Sequence, residues 1–191
     1  MVRMSASACK RAFVVGTMGR GCGFLPLMGA IAGGAEKAYL PETGISLEQL
    51  TADVAALVDS FESGRSFYLT VMGEDASEHY TGEVIARLFE AEGRGLYSVR
   101  QAVIGHMQQG GVPSPFDRIN ATRLAYLAIL DGQLASGTSN IVAASSSAEG
   151  MFGPWRVVTE DMDWEAQRPL DEWWMRLRPV FAQLGRRPGL E

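Results

Sequence analysis

Short runs rich in β-branched and aromatic residues alternate along this chain with longer amphipathic segments. Strand composition is found in RAFVVGT (11–17), EKAYLPE (36–42), SFYLTVMG (66–73) and LYSVRQAVIG (96–105). Helical length and spacing are found between them, in FLPLMGAIAGG (24–34), LEQLTADVAALVDSF (47–61) and YTGEVIARLFEAEG (80–93). This alternation predicts βαβ units, and therefore an α/β fold with a mainly parallel sheet and helices on both faces.

The ends of these helices carry recognisable signals. Ser46 followed by Gln49 has the spacing of a capping box, and the stripe Leu47, Leu50, Val54, Leu57 and Val58 predicts one buried face. Glycines at 33, 34 and 93 are expected to end two of the helices.

Two further helices and two strands are predicted in the later part of the chain. Asp117 is expected to cap the helix at 118–132, and Asp171 the helix at 172–185, which Pro179 should bend or break. The two remaining predicted strands are NIVAAS (140–145) and WRVVTE (155–160).

Length and composition narrow the class of protein. With 191 residues, 47% hydrophobic, the chain is expected to form a single lobe over 1–191 with a helical tail from about residue 160. A net charge of −5 argues against non-specific binding to nucleic acid. Two cysteines form neither a disulfide framework nor a zinc pattern, so a reducing cytoplasm is the expected location. The longest apolar stretch, at 23–35, is too short to cross a bilayer, and no signal peptide is predicted.

Three polar segments follow predicted strands directly. They are TMGRGCG (17–23), MGEDASEHY (72–80) and GHMQQGG (105–111). Ligands of open α/β sheets bind beyond the carboxyl ends of the strands. We therefore expect these three loops to lie along one edge of the sheet and to form a shared site.

The first of these loops has two interpretations. Its glycines allow the backbone to approach an anion, and Arg20 can add a charge-assisted fork for a phosphate. The spacing matches neither the dinucleotide-binding fingerprint nor the P-loop. A tight strand-to-helix turn with a solvated Arg20 explains the same residues equally well.

The other two loops offer further polar side chains. Arg100 and His106 are separated by an even number of positions, so on one continuous strand they would face the same side and converge on an anion. Alone, each is more simply a solvated or structural residue. Glu74 either accepts hydrogen bonds from sugar hydroxyls or simply flanks a loop. Gln109 can form hydrogen bonds with an oxygen-rich ligand, but its neutral amide cannot balance the charge of a phosphate.

The chain resembles the 6-phosphofructokinases in two long motifs. These are TMGRGCGFLPLMGAIAGGAEKAYLPE (17–42) and VRQAVIGHMQQGGVPSPFDR (99–118), and with DEWWMRLRP (171–179) the resemblance covers nearly the whole chain. It is greatest to the second, C-terminal half of the long eukaryotic-type enzymes. The resemblance implies a two-lobed α/β fold, of which this chain holds the sugar-phosphate lobe.

The resemblance also implies roles for individual residues. Met18 and Arg20 would contact the sugar phosphate, and Glu74 would meet the sugar hydroxyls. Arg100 and His106 would bind phosphate. In many family members the matching arginine and histidine reach across to the site of a neighbouring subunit. Arg168 would match an arginine that grips the second phosphate of fructose 2,6-bisphosphate. Gln109 stands where bacterial chains and the catalytic half carry an arginine, whereas Arg20 stands where regulatory halves often carry a glycine. The catalytic or regulatory nature of this half is therefore open.

The family's nucleotide lobe has no counterpart in this sequence. Neither a GGDG-like nucleotide loop nor a DND-type segment with the catalytic aspartate is present. By resemblance, ATP and Mg²⁺ serve the intact enzyme, and this chain supplies the acceptor side without a catalytic residue. Homo-oligomers, or association with a nucleotide-binding half, are expected. The alternative is a non-catalytic sugar-phosphate-sensing or assembly module. A third hypothesis is an unrelated nucleotide-binding α/β protein, which would require a phosphate loop that this sequence does not show.

Overall fold

The computed structural model describes residues 10–130, 140–144 and 150–184. Within these ranges the chain divides into two compact units. The first holds residues 10–108, 165–168 and 172–184, and the second holds 109–130, 140–144, 150–164 and 169–171. The single lobe with a tail from about residue 160 stays a prediction.

A four-stranded parallel sheet forms the centre of the first unit. It consists of β1 (Arg11–Thr17), β2 (Lys37–Tyr39), β3 (Phe67–Gly73) and β4 (Ser98–Val103), in the order β2-β3-β1-β4. Thr17 lies opposite Gly73, and Gly16 lies opposite Val103. Strands β1, β3 and β4 therefore end at one level, and the loops that follow them start from the same edge.

Helices cover both faces of this sheet, which confirms the predicted fold class. They are α1 (Phe24–Gly33), α2 (Leu47–Glu62) and α3 (Gly82–Glu92), each joining two parallel strands. Helices α2 and α3 bury Leu50, Leu57, Phe61, Ile85 and Phe89 on one face. On the other face α1 buries Leu27 and Ala30 together with Trp174 and Phe181 of the C-terminal segment.

The helix ends follow the predicted signals closely. The Ser46 hydroxyl accepts a hydrogen bond from the Gln49 N–H at 3.1 Å, and Gly34 ends α1 in the left-handed conformation. The predicted stripe of α2 needs one correction. Leu47, the first residue of the helix, is exposed, and the buried stripe instead continues to Phe61.

The second unit contains α4 (Pro115–Leu130), an antiparallel pair of β5 (Asn140–Ala144) and β6 (Gly150–Pro154), α5 (Trp155–Glu160) and β7 (Met162–Asp163). Asp117 was wrongly predicted as the residue before α4. It lies inside the first turn. Its N–H donates to the Ser114 hydroxyl oxygen at 3.2 Å, and its carboxylate accepts the Ser114 backbone N–H at 2.8 Å. This reciprocal pairing is a capping box with aspartate as the acid.

The strand predicted at 155–160 is wrong, because Trp155–Glu160 is helix α5. Local hydrogen bonds stabilise the helix against the β-branched composition of its middle. The Thr159 hydroxyl donates to the Arg156 carbonyl at 2.8 Å, and the Trp164 indole N–H donates to the Thr159 carbonyl at 3.2 Å. Strand propensity depends strongly on tertiary context, so composition alone does not decide such a segment.

The C-terminal segment begins with β8 (Arg168–Pro169) and continues through a 3₁₀ turn, Trp173–Leu177, into α6 (Arg178–Leu184). The break falls just before Pro179, as predicted, because proline fits the first turn of a new helix. The predicted cap at Asp171 is wrong. Glu172 precedes the 3₁₀ turn without a side-chain capping bond, since its carboxylate pairs with Arg168. Among the helices of the described ranges, none has both the length and the apolar character to cross a membrane.

Candidate functional site at the carboxyl edge of the sheet

Direct hydrogen bonds join the three loops that follow β1, β3 and β4. The Met18 N–H donates to Oε1 of Gln108 at 3.1 Å, and the Arg20 N–H donates to Oε1 of Glu74 at 3.1 Å. The Glu74 N–H in turn donates to the Thr17 carbonyl at 3.0 Å. The predicted convergence of these loops at one edge is therefore confirmed for the residues up to Gln108.

Close packing and unusual backbone angles explain the glycine-rich sequence of the first loop. Gly19 has a φ of +146°, and its carbonyl accepts the Cys22 N–H at 2.9 Å. A Cβ on Gly21 would overlap the carbonyl oxygen of Ala166, so only glycine allows the segment 165–168 to lie against the loop. The loop is thus a tight turn, and a second segment of the first unit packs on it.

Arg20 occupies a strained position and keeps its charge unpaired. Its φ of +46° lies in the left-handed region, which is unfavourable for a residue with a Cβ. Its side chain is exposed, and the guanidinium has no hydrogen bond or ion pair within the part of the chain that the structure describes. Glu74 is also exposed and uses one carboxylate oxygen for the Arg20 N–H. A cation and a carboxylate therefore stand beside each other with unused bonding capacity.

Arg100 and His106 do not share a strand face. Strand β4 ends at Val103, and Gly105, with a φ of +51°, turns the chain into a 3₁₀ turn at Gly105–Gln109. A shared strand face requires one continuous strand from Arg100 to His106, and β4 ends before His106. The prediction that the two residues face the same side of a strand is therefore wrong. Both side chains are exposed, and Arg100 donates to the Val99 carbonyl at 3.0 Å. In the described ranges no hydrogen bond or ion pair joins either residue to Arg20 or Glu74.

The remaining predicted residues divide between the two units. Met18 is half-buried and enters the hydrogen-bond network through its backbone. Gln109 is the exposed last residue of the 3₁₀ turn and belongs to the second unit, so its role stays a prediction. Its neighbour Gln108 makes the contact between the loops instead. Both amides follow the same strand, and only the turn geometry decides which of them points to the loop after β1.

Arg168 lies directly against the glycine-rich loop. Its Nη1 donates to the Gly21 carbonyl at 3.2 Å, and its Nε pairs with Oε1 of Glu172 at 2.6 Å. A guanidinium carries five N–H donors, so three remain for another partner. The structure therefore brings Arg168 to the loop that carries Arg20, although 148 positions separate the two residues in the sequence.

Glu42 is a site residue that the sequence reasoning missed. Its Oε1 accepts hydrogen bonds from the Gly23 N–H at 2.6 Å and from the Trp174 indole N–H at 3.0 Å. The carboxylate thus lies at the N-terminus of α1, where the helix dipole favours a negative charge. Glu42 follows β2, so the rule that polar residues after parallel strands meet at one edge would have found it.

Cys22 lies between these charged groups. Burial raises the pKa of its thiol, and the Glu42 carboxylate adds to the rise while a backbone hydrogen bond from Phe24 opposes it. The thiol is therefore protonated and weakly nucleophilic at neutral pH. Among the described residues, no group of three or more histidine, cysteine or acidic side chains is arranged to hold a metal ion.

A parallel sheet with helices on both faces defines an open α/β fold, in which ligands typically bind beyond the carboxyl ends of the strands. Comparison with known proteins makes the assignment more specific. The family model described as phosphofructokinase matches residues 1–130. The chain belongs to the phosphofructokinase family.

Relatives in several eukaryotes support this assignment. The ATP-dependent 6-phosphofructokinase of platelet type from Oryctolagus cuniculus is 34% identical over 198 residues, covering 97% of this chain and 25% of the relative. The ATP-dependent 6-phosphofructokinase of Dictyostelium discoideum is 37% identical over 181 residues, covering 92% of this chain and 22% of the relative. The chain therefore spans about a quarter of the length of the curated relatives it matches.

Solved structures show the same fold. Phosphofructokinase from Saccharomyces cerevisiae superposes with a TM-score of 0.81 at 31% identity, covering 97% of this chain and 28% of that one. Pichia pastoris phosphofructokinase in the T-state gives a TM-score of 0.78 at 30% identity, covering 99% and 24%. The resemblance stated from the sequence motifs is thereby confirmed at the level of the family and the fold.

Proposed function

We propose that this chain is the sugar-phosphate-binding half of a 6-phosphofructokinase, and that fructose 6-phosphate or fructose 2,6-bisphosphate binds at the carboxyl edge of its sheet. The observation that carries the proposal is the pair of hydrogen bonds from Arg20 N–H to Glu74 and from Met18 N–H to Gln108. Backbone donors tie the loops together, which leaves the Arg20 guanidinium available for an anion.

The backbone strain at Arg20 supports a role for its side chain. A left-handed residue with a Cβ costs about 1–2 kcal/mol, and glycine would remove that cost. Strained residues that persist are concentrated at functional sites. An arginine in this conformation, with no partner among the described residues, is explained by a ligand that the guanidinium binds.

The other residues take the roles that the family resemblance implies. Met18 contacts the sugar phosphate, and the free oxygen of Glu74 accepts hydrogen bonds from sugar hydroxyls. Arg100 and His106 bind phosphate, and Gln109 adds a neutral amide. Arg168 grips a second phosphate with the donors that Gly21 and Glu172 leave free.

The intact enzyme would transfer a phosphoryl group from ATP, with Mg²⁺, to fructose 6-phosphate in the cytoplasm. Phosphoryl transfer requires a nucleotide, a metal ion and a positioned base. The described residues contain no group of three or more side chains arranged to hold a metal ion. We propose that the isolated chain binds the sugar phosphate and transfers no phosphoryl group.

A second candidate is a non-catalytic sensing or assembly module. The observation that favours it is the exposure of four large apolar side chains along α4, namely Phe116, Ile119, Tyr126 and Ile129. A contiguous exposed apolar surface is typical of an interface. A second copy of this chain or a nucleotide-binding half is the partner we propose for it.

Calorimetric titration tests the proposed function. Fructose 6-phosphate and fructose 2,6-bisphosphate are titrated into the full chain, with unphosphorylated fructose and inorganic phosphate as controls. We expect a fructose phosphate to bind more tightly than either control, because the site recognises both sugar hydroxyls and phosphate. Equal binding of inorganic phosphate would contradict the sugar component, and ATP-dependent turnover by the isolated chain would contradict its proposed inactivity.

A further inference from the structure

One carboxylate oxygen joins three parts of the first unit that are far apart in the sequence. Oε1 of Glu42 accepts the Gly23 N–H at 2.6 Å and the Trp174 indole N–H at 3.0 Å. Gly23 ends the glycine-rich loop, Glu42 follows β2, and Trp174 lies in the 3₁₀ turn of the C-terminal segment. Glu42 therefore links the C-terminal segment to the glycine-rich loop through hydrogen bonds to one oxygen atom.

The surroundings of Glu42 show that it is more than a surface acid. Oε2 is buried and has no hydrogen-bond partner among the described residues. A buried, unpaired carboxylate oxygen is unfavourable unless other interactions compensate for it. Here the two hydrogen bonds to Oε1 and the N-terminal dipole of α1 provide that compensation.

Aromatic packing reinforces the same junction. Trp174 is fully buried, and the Phe24 ring packs edge-on against Trp173 at 5.6 Å and against Trp174 at 5.9 Å between centroids. Phe24 is the first residue of α1, immediately after Gly23. The C-terminal segment thus docks at the place where the glycine-rich loop passes into the helix.

The docked segment carries Arg168 to the loop. Glu172, two residues before Trp174, pairs with Arg168, and Arg168 donates to the Gly21 carbonyl. Gly21 directly follows Arg20. A continuous set of contacts therefore connects Glu42, through Trp174 and Glu172, to the backbone that presents Arg20.

We propose that Glu42 is a positioning residue that docks the C-terminal segment on the glycine-rich loop and thereby sets the orientation of Arg20 toward its ligand. The consequence for the ligand rests on the proposed function, whereas the docking itself does not. Glu42 does not touch the ligand. Because its carboxylate already lies at the N-terminus of α1, the charge of a bound phosphate is balanced by the arginine side chains and not by this helix end.

The reactivity of Cys22 reports on the docking, because this thiol lies in the loop between Gly21 and Gly23. Cys9→Ser leaves Cys22 as the single thiol of the full chain. In that background, the rate of alkylation by iodoacetamide is measured for the parent, Glu42→Ala, Glu42→Gln and Trp174→Phe. Both Glu42 variants remove the negative charge near the thiol, but only alanine removes the acceptor oxygen. Their comparison therefore separates docking from a change in the charge near the thiol.

We expect alkylation to be about tenfold faster in Glu42→Ala than in Glu42→Gln, because the neutral glutamine oxygen can still accept the two hydrogen bonds that alanine loses, and two neutral hydrogen bonds together are worth about that factor. Trp174→Phe keeps the charge of Glu42 and should also accelerate the reaction. The double variant Glu42→Ala/Trp174→Phe should react no faster than the faster single variant, since both changes break the same contact.

Ser46→Ala is the matched control for general destabilisation. It removes the cap of α2 on the opposite face of the sheet. Its alkylation rate should stay at the parent value although its stability to denaturant falls. If Ser46→Ala accelerates alkylation as much as Glu42→Ala does, the positioning role is overturned.

Titration of the same variants with fructose 6-phosphate completes the test. Affinity should fall about tenfold in Glu42→Ala, fall less in Glu42→Gln and remain unchanged in Ser46→Ala. Unchanged affinity in Glu42→Ala, with the parent binding, would overturn the proposal. If the parent binds no fructose phosphate while the alkylation rates follow the expected order, the proposed function fails and the docking role of Glu42 stands.

Discussion

The backbone N–H of Arg20, and not its guanidinium, contacts the Glu74 carboxylate, at 3.1 Å from Oε1. A salt bridge between these two side chains would have neutralised both charges. The backbone contact instead joins the loops after β1 and β3 while the guanidinium keeps all of its donors. The two residues are thus adjacent with unused bonding capacity, and the proposed function assigns a phosphate to Arg20 and sugar hydroxyls to Glu74.

Gly21→Ala should weaken the docking of the segment 165–168. The new Cβ would overlap the Ala166 carbonyl oxygen, and a backbone atom cannot move aside as a side chain can. We expect the free energy of unfolding to fall by about 1–3 kcal/mol, the usual cost of overpacking. Denaturant unfolding measures this change.

Gly29→Ala is the matched control for that substitution. Gly29 lies in α1, and a Cβ there would meet no atom within 4 Å. This change should raise stability by about 0.5–1 kcal/mol, because alanine is the better helix former. Equal effects of the two glycine substitutions would show that the contact with Ala166 has no energetic role.

Thr70→Val should stabilise the protein. Thr70 is fully buried in β3, and its hydroxyl oxygen has no hydrogen-bond partner among the described residues. Valine has nearly the same shape and removes the unsatisfied group, so we expect a gain of about 1 kcal/mol in the free energy of unfolding. Thr17→Val is the comparison, since the buried Thr17 hydroxyl donates to the Met72 carbonyl at 3.2 Å and its loss should destabilise. Thermal or denaturant unfolding distinguishes the two, and a loss of stability in Thr70→Val would contradict the expectation.

Stability should fall at alkaline pH because of buried tyrosines. Burial raises the pKa of Tyr97 from its ordinary value of 10.0 to about 12, with Glu90 and Glu92 adding to the rise. The folded state then keeps a proton that the unfolded state loses, so stability is complete below about pH 10 and declines as the pH rises toward about 12. Tyr39 and Tyr68 have pKa values raised in the same direction, again mainly by burial.

Tyr97→Phe isolates one of these contributions. The Tyr97 hydroxyl donates to the Phe89 carbonyl at 3.0 Å, so the variant should be less stable at neutral pH by about 1 kcal/mol. Above about pH 10 its stability should decline less steeply than that of the parent, since one proton fewer is released. Parallel pH profiles from denaturant unfolding would show that Tyr97 does not titrate with unfolding.

The first unit was largely predictable because local signals and tertiary packing agree there. The run RAFVVGT forms β1 with the predicted bounds, and Ser46 caps α2 as its spacing requires. At 155–160 the two signals disagree, and local hydrogen bonds at Thr159 favour a helix over the β-branched composition. The structure of a segment can be predicted from sequence alone where its local sequence signals and its tertiary packing favour the same conformation.

The candidate site was predictable only in part. Parallel strands that end together explain why Arg20, Glu74 and Gln108 meet, and this followed from the order of elements. The position of Arg168 depends on how the C-terminal segment docks on the loop, and no local pattern specifies such a contact. The rule for residues that follow parallel strands reaches Glu42, but it does not predict the hydrogen bond between Glu42 and Trp174. Strand β4 likewise ends at Val103 because Gly105 adopts a positive φ and turns the chain. His106 therefore does not lie on the strand face that was predicted for it.

The most direct test of the account compares Arg20→Gly with the parent chain in a titration with fructose 6-phosphate. Glycine relieves the strain of the left-handed backbone at this position, so folding stability should be unchanged or higher, whereas alanine would keep the strain. Loss of the guanidinium removes a charge-assisted hydrogen bond of about 1.5–3 kcal/mol, which corresponds to a loss of affinity of about tenfold or more. We predict that Arg20→Gly is as stable as the parent and binds fructose 6-phosphate at least about tenfold more weakly. Unchanged affinity in this stable variant would contradict the assignment of the carboxyl edge as the sugar-phosphate site.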